Sequence, residues 1–357
     1  MKRGLESVLV TGGCGFIGTN FIRFLLNNNE FDGKIVNLDA LTYAGNPLNL
    51  TNVEERYGGE RYFFEHGDIT DTNTVRTLLI EYDIDTIVNF AAESHVDRSI
   101  HGPADFIKTN IMGTFTLLEA VRELWNGRDD VLFHHVSTDE VFGSLGETGL
   151  FTEYSAYDPG SPYSASKAGS DHLVVAYHHT YGLPVTISNC SNNYGPYQFP
   201  EKLIPLMILN MKEDKPLPVY GDGLNVRDWV HVDDHNDGVW RVIRGGKNGN
   251  TYNIGGGNEQ RNIDVVKSLC RVYADLSGTS IEKVESLIKY VKDRPGHDRR
   301  YAIDSSRIRS ELGWNHSVSF ERGLKSTVEW YLDNIEWVDA VRSGEYRQWI
   351  ERNYAQR

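Results

Sequence analysis

A short apolar run, Ser7-Val8-Leu9-Val10, passes directly into the glycine-rich segment Thr11-Gly12-Gly13-Cys14-Gly15-Phe16-Ile17-Gly18. Apolar residues then recur at helical spacing from Phe21 to Leu26, so the pattern predicts a strand, a turn and a helix. Glycines in such a turn let the backbone approach a pyrophosphate, which the amides of the helix N-terminus also attract. A glycine turn alone is a weak signal, and the residues after it decide its interpretation.

An acid follows the turn at the interval expected for a residue that holds a ribose diol. The second apolar run, Lys34-Ile35-Val36-Asn37-Leu38, ends in Asp39, and Ala40-Leu41 follows without an adjacent Arg or Lys. A carboxylate at this position repels a 2′-phosphate. The sequence therefore predicts dinucleotide binding and favours NAD over NADP.

Strand and helix patterns alternate through the first half of the chain. Strands are expected at 62–65, 86–90 and 131–136, and helices at 71–81, 110–124 and 163–181. Such alternation implies right-handed crossovers and a parallel sheet. From Asn192 onward Pro and Gly are frequent and the elements are short, with helices expected near 203–211, 263–273 and 320–332.

These patterns predict an α/β fold, a Rossmann-type doubly wound parallel sheet with a smaller α/β C-terminal substrate lobe. The first domain is expected over residues 1–190 and the second mainly over 191–357. A segment near 228–260 is expected to return to the first domain.

Composition bounds the class of protein. Hydrophobic residues make up 39% and charged residues 24% of the 357 residues, which is typical of a globular protein. The net charge of -14 argues against nucleic acid or an anionic membrane as the main partner, since both need a basic surface. Three widely spaced cysteines without a CxxC pair are expected to be reduced thiols in a cytoplasmic protein. No apolar run has the length of a signal peptide or a membrane span, so we expect neither export nor insertion.

Two acids and a Tyr-Lys pair are the candidates for chemistry. Asp139 and Glu140 follow the apolar run 131–136, at the edge of the sheet where open α/β folds bind ligands. Taken alone, the two acids are better explained as solvated loop charges. Tyr163 and Lys167 lie one helical turn apart on one face, where an ammonium favours the phenolate and allows proton exchange with a hydroxyl.

Five motifs occur in order along the chain: TGGCGFIG (11–18), AAESHVDRS (91–99), HVSTDEVFG (135–143), YSASK (163–167) and SNNYGP (191–196). They resemble the extended short-chain dehydrogenase/reductases that act on nucleotide sugars, and within these the dTDP-glucose 4,6-dehydratases. The similarity continues through FPEKLIP (199–205), LPVYGDG (217–223), VRDWVHVDD (226–234) and RPGHDRRYAID (294–304). It thus covers nearly the whole chain.

The resemblance implies a hydro-lyase that converts dTDP-glucose to dTDP-4-keto-6-deoxyglucose by internal hydride transfer, with NAD retained. Thr138 and Tyr163 would flank the sugar 4-hydroxyl, with Tyr163 as the base and Lys167 lowering its pKa while binding the nicotinamide ribose. Glu140 would take the proton on carbon 5, and Asp139 would protonate the departing 6-hydroxyl. Adjacent carboxyl groups can fill both roles if their environments separate their pKa values.

The resemblance also implies the residues of two binding sites. NAD would contact Gly12, Gly15, Phe16, Ile17, Gly18, Asp39, Asp68, Ile69, Ala91, Glu93, Asn110, Tyr163 and Lys167. The nucleotide sugar would contact Ser94, Thr138, Asn192, Glu201, Lys202, Leu203, Pro218, Tyr220, Arg227, Asn262, His297 and Tyr354. Three of these have a ready alternative: Asp68 as a helix N-terminal carboxylate, Tyr220 as a half-buried strand residue and His297 as part of a solvated basic loop.

Other activities stay open at this point. A nucleotide-sugar 4-epimerase, a 4,6-dehydratase for another nucleotide such as UDP-glucose, and a non-catalytic NAD(H)-sensing module share the fold. The Asp139-Glu140 pair favours dehydration, because related epimerases lack it in this comparison. The spacing of the histidines supports no metal site. Helices 110–124 and 163–181 resemble the pair that forms the dimer interface in this superfamily, so we expect a homodimer, although either helix could instead pack on the sheet.

Overall fold

The computed structural model describes residue 3 and residues 5–293 and 296–343. Its strands are β1 (Ser7–Thr11), β2 (Lys34–Asp39), β3 (Tyr62–His66), β4 (Thr86–Asn89), β5 (Leu132–Thr138), β6 (Val185–Cys190), β7 (Asn192–Tyr194), β8 (Leu217–Tyr220), β9 (Val226–His231), β10 (Thr251–Ile254), β11 (Glu259–Arg261) and β12 (Ile288–Val291). Its α-helices are α1 (Phe16–Asn27), α2 (Thr51–Tyr57), α3 (Thr72–Glu81), α4 (Val96–His101), α5 (Pro103–Phe106), α6 (Thr114–Leu124), α7 (Pro162–Tyr181), α8 (Leu203–Lys212), α9 (Val232–Gly245), α10 (Asn262–Ser277), α11 (Ile281–Glu285), α12 (Ser306–Leu312), α13 (Phe320–Asp333) and α14 (Ile335–Ser343). A π-helix covers Ile107–Gly113, and 3₁₀ helices cover Pro47–Leu50 and Asp139–Phe142.

Seven parallel strands form the central sheet, in the order β10-β6-β5-β4-β1-β2-β3. The strand order reverses between β1 and β4. A crevice therefore forms at the carboxyl ends of these strands, which is where a doubly wound sheet binds its ligand. The predicted Rossmann-type α/β fold class is confirmed.

Two apolar layers attach helices to the two faces of this sheet. On one face Phe21 and Ile22 of α1 share a core with Trp240 of α9. On the other face Leu118 of α6 packs in one core with Val174 of α7. Burial of each such side chain contributes about 1.5–3 kcal/mol, so the layers fix the helices whose ends form the crevice.

The second lobe has two small sheets in the described residues, β11-β9-β7 and β12-β8. Its separate core includes Tyr194, Leu269 and Val328. Two elements between these parts belong to the first lobe, because α9 packs on α1 and β10 pairs in parallel with β6. Both lie within the predicted returning segment near 228–260, while the domain limits themselves stay a prediction.

Two further properties concern the chain as a whole. Among the helices that the structure describes, none combines the length and apolar character of a membrane-spanning segment. Cys14, Cys190 and Cys270 are all buried and none forms a disulfide. Their thiols therefore pack as small apolar side chains.

Candidate active site

The carboxyl ends of the central strands open into a cavity of about 320 Å³. The five predicted catalytic residues all line it: Thr138, Asp139, Glu140, Tyr163 and Lys167. Most predicted cofactor residues line it as well: Gly12, Gly15, Phe16, Ile17, Gly18, Asp39, Asp68, Ile69, Ala91 and Glu93. So do four of the predicted substrate residues: Ser94, Asn192, Glu201 and Lys202.

The glycine turn is shaped to receive an anion. Gly12 has a φ of +69°, and a Cβ there would lie 2.8 Å from the backbone of Ala91. A Cβ at Gly18 would lie 2.4 Å from the carbonyl oxygen of Gly12. No side chain caps the N-terminus of α1 at Gly15, and its first turn carries no acid. The amides there are therefore available to the pyrophosphate of a dinucleotide, which the turn fits.

Asp39 anchors the glycine turn in addition to lining the cavity. Its Oδ2 accepts a hydrogen bond from the Cys14 N–H at 2.8 Å, and its Oδ1 accepts one from the Leu41 N–H at 2.8 Å. Burial raises the pKa of Asp39, while these two hydrogen bonds oppose the shift. A carboxylate has about four acceptor positions, so two remain for a ribose diol.

Asp68 does not act as the helix N-terminal carboxylate. Its Oδ1 accepts from the Thr70 N–H at 2.9 Å, within the loop that follows β3. The cap of α3 is Asp71, which accepts from the N–H groups of Asn73 and Thr74. The alternative interpretation of Asp68 is therefore wrong, and its carboxylate faces the cavity.

Asn110 lies behind the cavity wall rather than in it. Its Oδ1 accepts from the Glu93 N–H at 2.9 Å, and its Nδ2 donates to the Glu93 carbonyl at 3.0 Å and to Ser166 Oγ at 2.8 Å. The residue sits in the π-helix Ile107–Gly113, where a continuous α-helix was predicted. Such π-turns occur frequently at functional sites. Asn110 thus ties the wall of the cavity to α7, the helix that carries Tyr163.

Asp139 and Glu140 are adjacent in sequence but differ in burial. Thr138 ends β5 and caps the 3₁₀ helix by accepting from the Glu140 N–H at 3.3 Å. Asp139 is only 2% exposed, and its Oδ2 has no hydrogen-bond partner among the described residues. Burial, followed by the charges of Glu140 and Asp228, raises the pKa of Asp139 well above its usual range. Burial therefore favours the neutral form of Asp139, and its side chain is not the solvated loop charge that its sequence position alone indicated.

The Tyr-Lys pair lies in the wall of the cavity. Lys167 Nζ donates to the Val136 carbonyl at 2.8 Å and lies 3.4 Å from His135 Nε2. Burial raises the pKa of Tyr163 well above its usual value, and the charge of Glu140 adds to the shift. The lowering of the Tyr163 pKa by Lys167 stays a prediction.

Asp171 is a buried acid of this site that the sequence analysis missed. Its Oδ2 accepts from Ser137 Oγ at 2.7 Å and from Tyr157 OH at 3.0 Å. Its Oδ1 lies 3.4 Å from His135 Nε2, and its charge opposes the fall in the Lys167 pKa that burial causes. The one available signal was its spacing, one helical turn after Lys167 on the same face.

Loops from both lobes supply further residues that the sequence analysis missed. Tyr43 follows β2 and Phe199 follows β7, and both line the cavity. Their ring centroids are 5.6 Å apart in an edge-to-face contact. The Arg98 guanidinium lies 3.8 Å from the centre of the Tyr43 ring. The lobes therefore touch across the mouth of the cavity.

Those of the remaining predicted substrate residues that the structure describes lie in the second lobe, outside the walls of this cavity. Arg227 is buried, donates to the Asp298 carbonyl at 2.9 Å and stacks 4.3 Å from the centre of the Tyr301 ring. Tyr220 is 43% exposed at the end of β8, which agrees with the half-buried strand alternative. The others begin helices or lie in β8: Leu203, Pro218 and Asn262. Tyr354 lies outside the described residues.

Two arginines in the loop after β12 are paired with acids from other parts of the chain. Arg299 pairs with both carboxylate oxygens of Asp222, at 2.9 and 3.1 Å, and Arg300 pairs with both of Glu259, at 2.6 and 2.8 Å. His297 is hydrogen-bonded to Asp293 at 2.6 Å and its side chain is 7% exposed. The solvated-loop alternative is therefore wrong for His297, and the expected local excess of positive charge is largely neutralised.

The fold and the site define an extended short-chain dehydrogenase/reductase, since a glycine turn, a ribose-binding acid and a Tyr-x-x-x-Lys helix meet at one switch point. The family model of GDP-mannose 4,6 dehydratase matches residues 9–327. The dTDP-glucose 4,6-dehydratase 1 of Escherichia coli is 53% identical over 97% of this chain and 98% of its own. The chain belongs to the dTDP-glucose 4,6-dehydratase family.

Solved structures agree with this assignment. The crystal structure of a dTDP-glucose 4,6-dehydratase from Streptomyces venezuelae with NAD bound is 46% identical, with a TM-score of 0.85 over 94% of this chain and 100% of its own. The UDP-glucose 4-epimerase of Thermotoga maritima is 27% identical, with a TM-score of 0.81 over 92% of this chain and 100% of its own. The predicted family, hydro-lyase class and NAD cofactor are confirmed.

Proposed function

We propose that the protein converts dTDP-glucose to dTDP-4-keto-6-deoxyglucose, with NAD retained through the cycle. The observation that carries the proposal is the pairing of the buried Asp139, whose pKa burial raises, with the less buried Glu140 in the cavity that Tyr163 also lines. Elimination of water requires one acid and one base on the same substrate, and two carboxyl groups in unlike environments supply both.

Each residue has one role in this proposal. Tyr163, with Thr138, takes the proton of the 4-hydroxyl; Thr138 is the contact that favours the phenolate. NAD held at the glycine turn would supply the acceptor for the hydride of carbon 4 and the donor of that hydride to carbon 6. Glu140 removes the proton on carbon 5, which the 4-ketone acidifies, and Asp139 protonates the 6-hydroxyl, which leaves as water. Glu140 then returns its proton to carbon 5, and proton exchange with solvent reprotonates Asp139 and deprotonates Tyr163, so that all three residues regain their starting states.

The two lobes divide the binding of the ligands. We assign NAD to residues 1–190 with the segment near 228–260: the pyrophosphate to the glycine turn, the ribose diol to Asp39 and the nicotinamide side to Glu93 and Lys167. The nucleotide sugar is assigned mainly to residues 191–357, with Arg227 for the pyrophosphate, since a guanidinium suits two phosphates.

Product analysis tests the function. Incubation with dTDP-glucose should give a nucleotide sugar lighter by one water, with the total of NAD and NADH unchanged. A product of unchanged mass with carbon 4 inverted would show an epimerase instead. A parallel assay with UDP-glucose decides the nucleotide, because the thymine methyl group discriminates by only ~1–3 kcal/mol in an apolar pocket.

We propose that the protein is a homodimer. Ile107, Met112 and Phe115 are 47%, 48% and 38% exposed on the π-helix and α6, and Tyr181 at the end of α7 is 53% exposed. Leu118 and Val121 of α6 instead pack against the sheet. The four exposed side chains form an apolar surface that a second copy would cover.

We also propose that the protein works in the cytoplasm. Three cysteines without a disulfide suit a reducing compartment. Fractionation of cells should recover the activity with cytoplasmic markers, and recovery with periplasmic or membrane markers would contradict the proposal.

A further inference from the structure

A hydrogen-bonded path connects the C-terminal helix α14 to the glycine turn. Trp337 of α14 donates its Nε1–H to Asn49 Oδ1 at 2.7 Å. Asn49 Nδ2 in turn donates to the Cys14 carbonyl at 3.0 Å and to Thr19 Oγ1 at 3.2 Å. The Thr19 hydroxyl donates to the Gly13 carbonyl at 3.0 Å. The Asn49 amide therefore links Trp337 of the second lobe to the Cys14 carbonyl directly and to the Gly13 carbonyl through the Thr19 hydroxyl.

The chemistry of the partners fixes the orientation of this amide. An indole N–H can only donate and a backbone carbonyl can only accept, so Asn49 has one arrangement that satisfies both. Asn49 is 1% exposed, and water cannot replace a lost partner there. Loss of the indole donor would leave a buried acceptor unpaired, which is costly.

The Cys14 peptide is held from both sides. Its N–H donates to Asp39 Oδ2 at 2.8 Å, and its carbonyl accepts from the Asn46 N–H at 2.9 Å as well as from Asn49. Asn49 itself does not line the cavity. It therefore acts on the dinucleotide site through the conformation of the turn.

An aromatic cluster positions the indole against the first lobe. Trp337 packs with Trp330 at 5.0 Å and with Tyr197 at 5.9 Å between ring centroids. The Arg23 guanidinium of α1 lies 4.8 Å from the centre of the Tyr197 ring and also donates to the Asn49 carbonyl. Residues of both lobes thus surround the hydrogen bond between Trp337 and Asn49.

We propose that Asn49 is a positioning residue for NAD: with Trp337 as its donor, it holds the glycine turn in its binding conformation and couples docking of α14 to NAD affinity. The inference rests on the proposed NAD-dependent function. Because coupling between sites is reciprocal, bound NAD should also slow hydrogen exchange of the Trp337 indole N–H.

Substitution of one donor tests the coupling. Trp337→Phe keeps an aromatic ring in the cluster and removes the N–H, and Trp330→Phe is the matched control in the same cluster. We expect Trp337→Phe to weaken NAD binding to the cofactor-depleted protein roughly three- to tenfold by calorimetry, with Trp330→Phe close to wild type. We expect kcat at saturating NAD to stay within about twofold of wild type, as a pure affinity effect requires.

If Trp337→Phe does not fold, a second variant and the hydrogen exchange of the wild-type Trp337 indole N–H still test the proposal. Asn49→Asp keeps the shape but cannot donate to the Cys14 carbonyl, so NAD binding should weaken at least as much. Unchanged NAD affinity in both variants, equal weakening in Trp330→Phe, or an indole exchange rate of Trp337 that NAD does not alter would each overturn the coupling. A wild-type protein without NAD affinity would overturn the proposed function itself, which separates the two failures.

Discussion

Environment, rather than residue type, separates the two acids of the site. Asp139 and Glu140 are neighbours in sequence, yet only Asp139 is enclosed at the end of β5. Its burial raises its pKa, which favours the protonated form that a general acid requires. In the proposed mechanism Asp139 therefore donates a proton and Glu140 accepts one.

The first prediction separates oxidation from elimination. Asp139→Asn removes the proton donor, so elimination should slow by about 10²–10⁴-fold while oxidation at carbon 4 continues. Reduced nicotinamide should then accumulate, visible by its near-ultraviolet absorbance in a single turnover. Tyr163→Phe lacks the base for oxidation and should accumulate none. Equal accumulation in both variants would contradict the assigned roles.

The second prediction concerns stability. The pKa of Asp139 is raised in the folded protein, so between the unfolded and folded values the native state keeps a proton that the unfolded chain loses. The wild type is therefore progressively destabilised as pH rises above the unfolded value. Asp139→Asn should raise Tm by roughly 2–6 °C at pH 7, and the gain should shrink toward pH 4. The exposed control Asp129→Asn should show no such trend in a thermal melt.

The third prediction concerns the charge on Lys167. Burial lowers the Lys167 pKa, and the nearby Asp171 opposes that shift, with His135 kept neutral by a pKa of about 4. Asp171→Asn should lower the Lys167 pKa further, which moves the alkaline limb of the kcat profile to lower pH. Tyr157→Phe removes a hydrogen bond to Asp171 without a change of charge. The same shift in both variants would show that packing, not charge, is responsible.

Sequence reasoning found the residues that belong to motifs and missed those that act through space. Asp139, Tyr163 and Lys167 could be assigned because each sits in a recognisable pattern. Asn49 and Asp171 belong to no such motif, and the partners Cys14 and Ser137 lie 35 and 34 residues away from them along the chain.

At the scale of elements, the strand–turn–helix unit depends on glycines that no other residue can replace. The fourth prediction follows for Gly18, where a Cβ would lie 2.4 Å from the Gly12 carbonyl oxygen. Gly18→Ala should displace α1 from the turn, weaken NAD binding at least about tenfold and lower Tm by several degrees. Gly146→Ala is the control, because a Cβ there meets open space. Titration with NAD and a thermal melt measure both effects.

The boundaries of elements matched the prediction where tertiary packing agrees with the local sequence pattern. Strand β2 spans Lys34–Asp39 as expected, and the helix expected from residue 71 begins at Thr72, with Asp71 as its cap. The π-helix Ile107–Gly113 was not predicted from the local pattern. A Cβ at Gly113 would lie 2.3 Å from Ile69 Cδ1, so this glycine allows close packing against Ile69. The contact between Tyr43 and Phe199 joins two lobes and has no local signal either.

At the scale of the whole molecule, the site is formed from both lobes and its charges are balanced locally. The net charge of -14 does not describe the cavity, where Lys167 and Asp171 are buried close together. Arg299 and Arg300 likewise pair with Asp222 and Glu259, so the charge of these two arginines is balanced where they lie. The exposed apolar side chains on the π-helix, α6 and α7 are a feature of the exterior that the site does not explain.

The fifth prediction tests this surface as a dimer interface. Met112 is 48% exposed on the π-helix, and Met112→Lys would place an ammonium in the interface, where it has no water. We expect the wild type to sediment as a dimer and Met112→Lys to dissociate with a Kd raised at least about 100-fold. Leu150→Lys is the control, since Leu150 is similarly exposed, at 49%, on a loop outside these helices. A monomeric wild type, or a dimer that Met112→Lys leaves intact, would show that this surface has another partner or none.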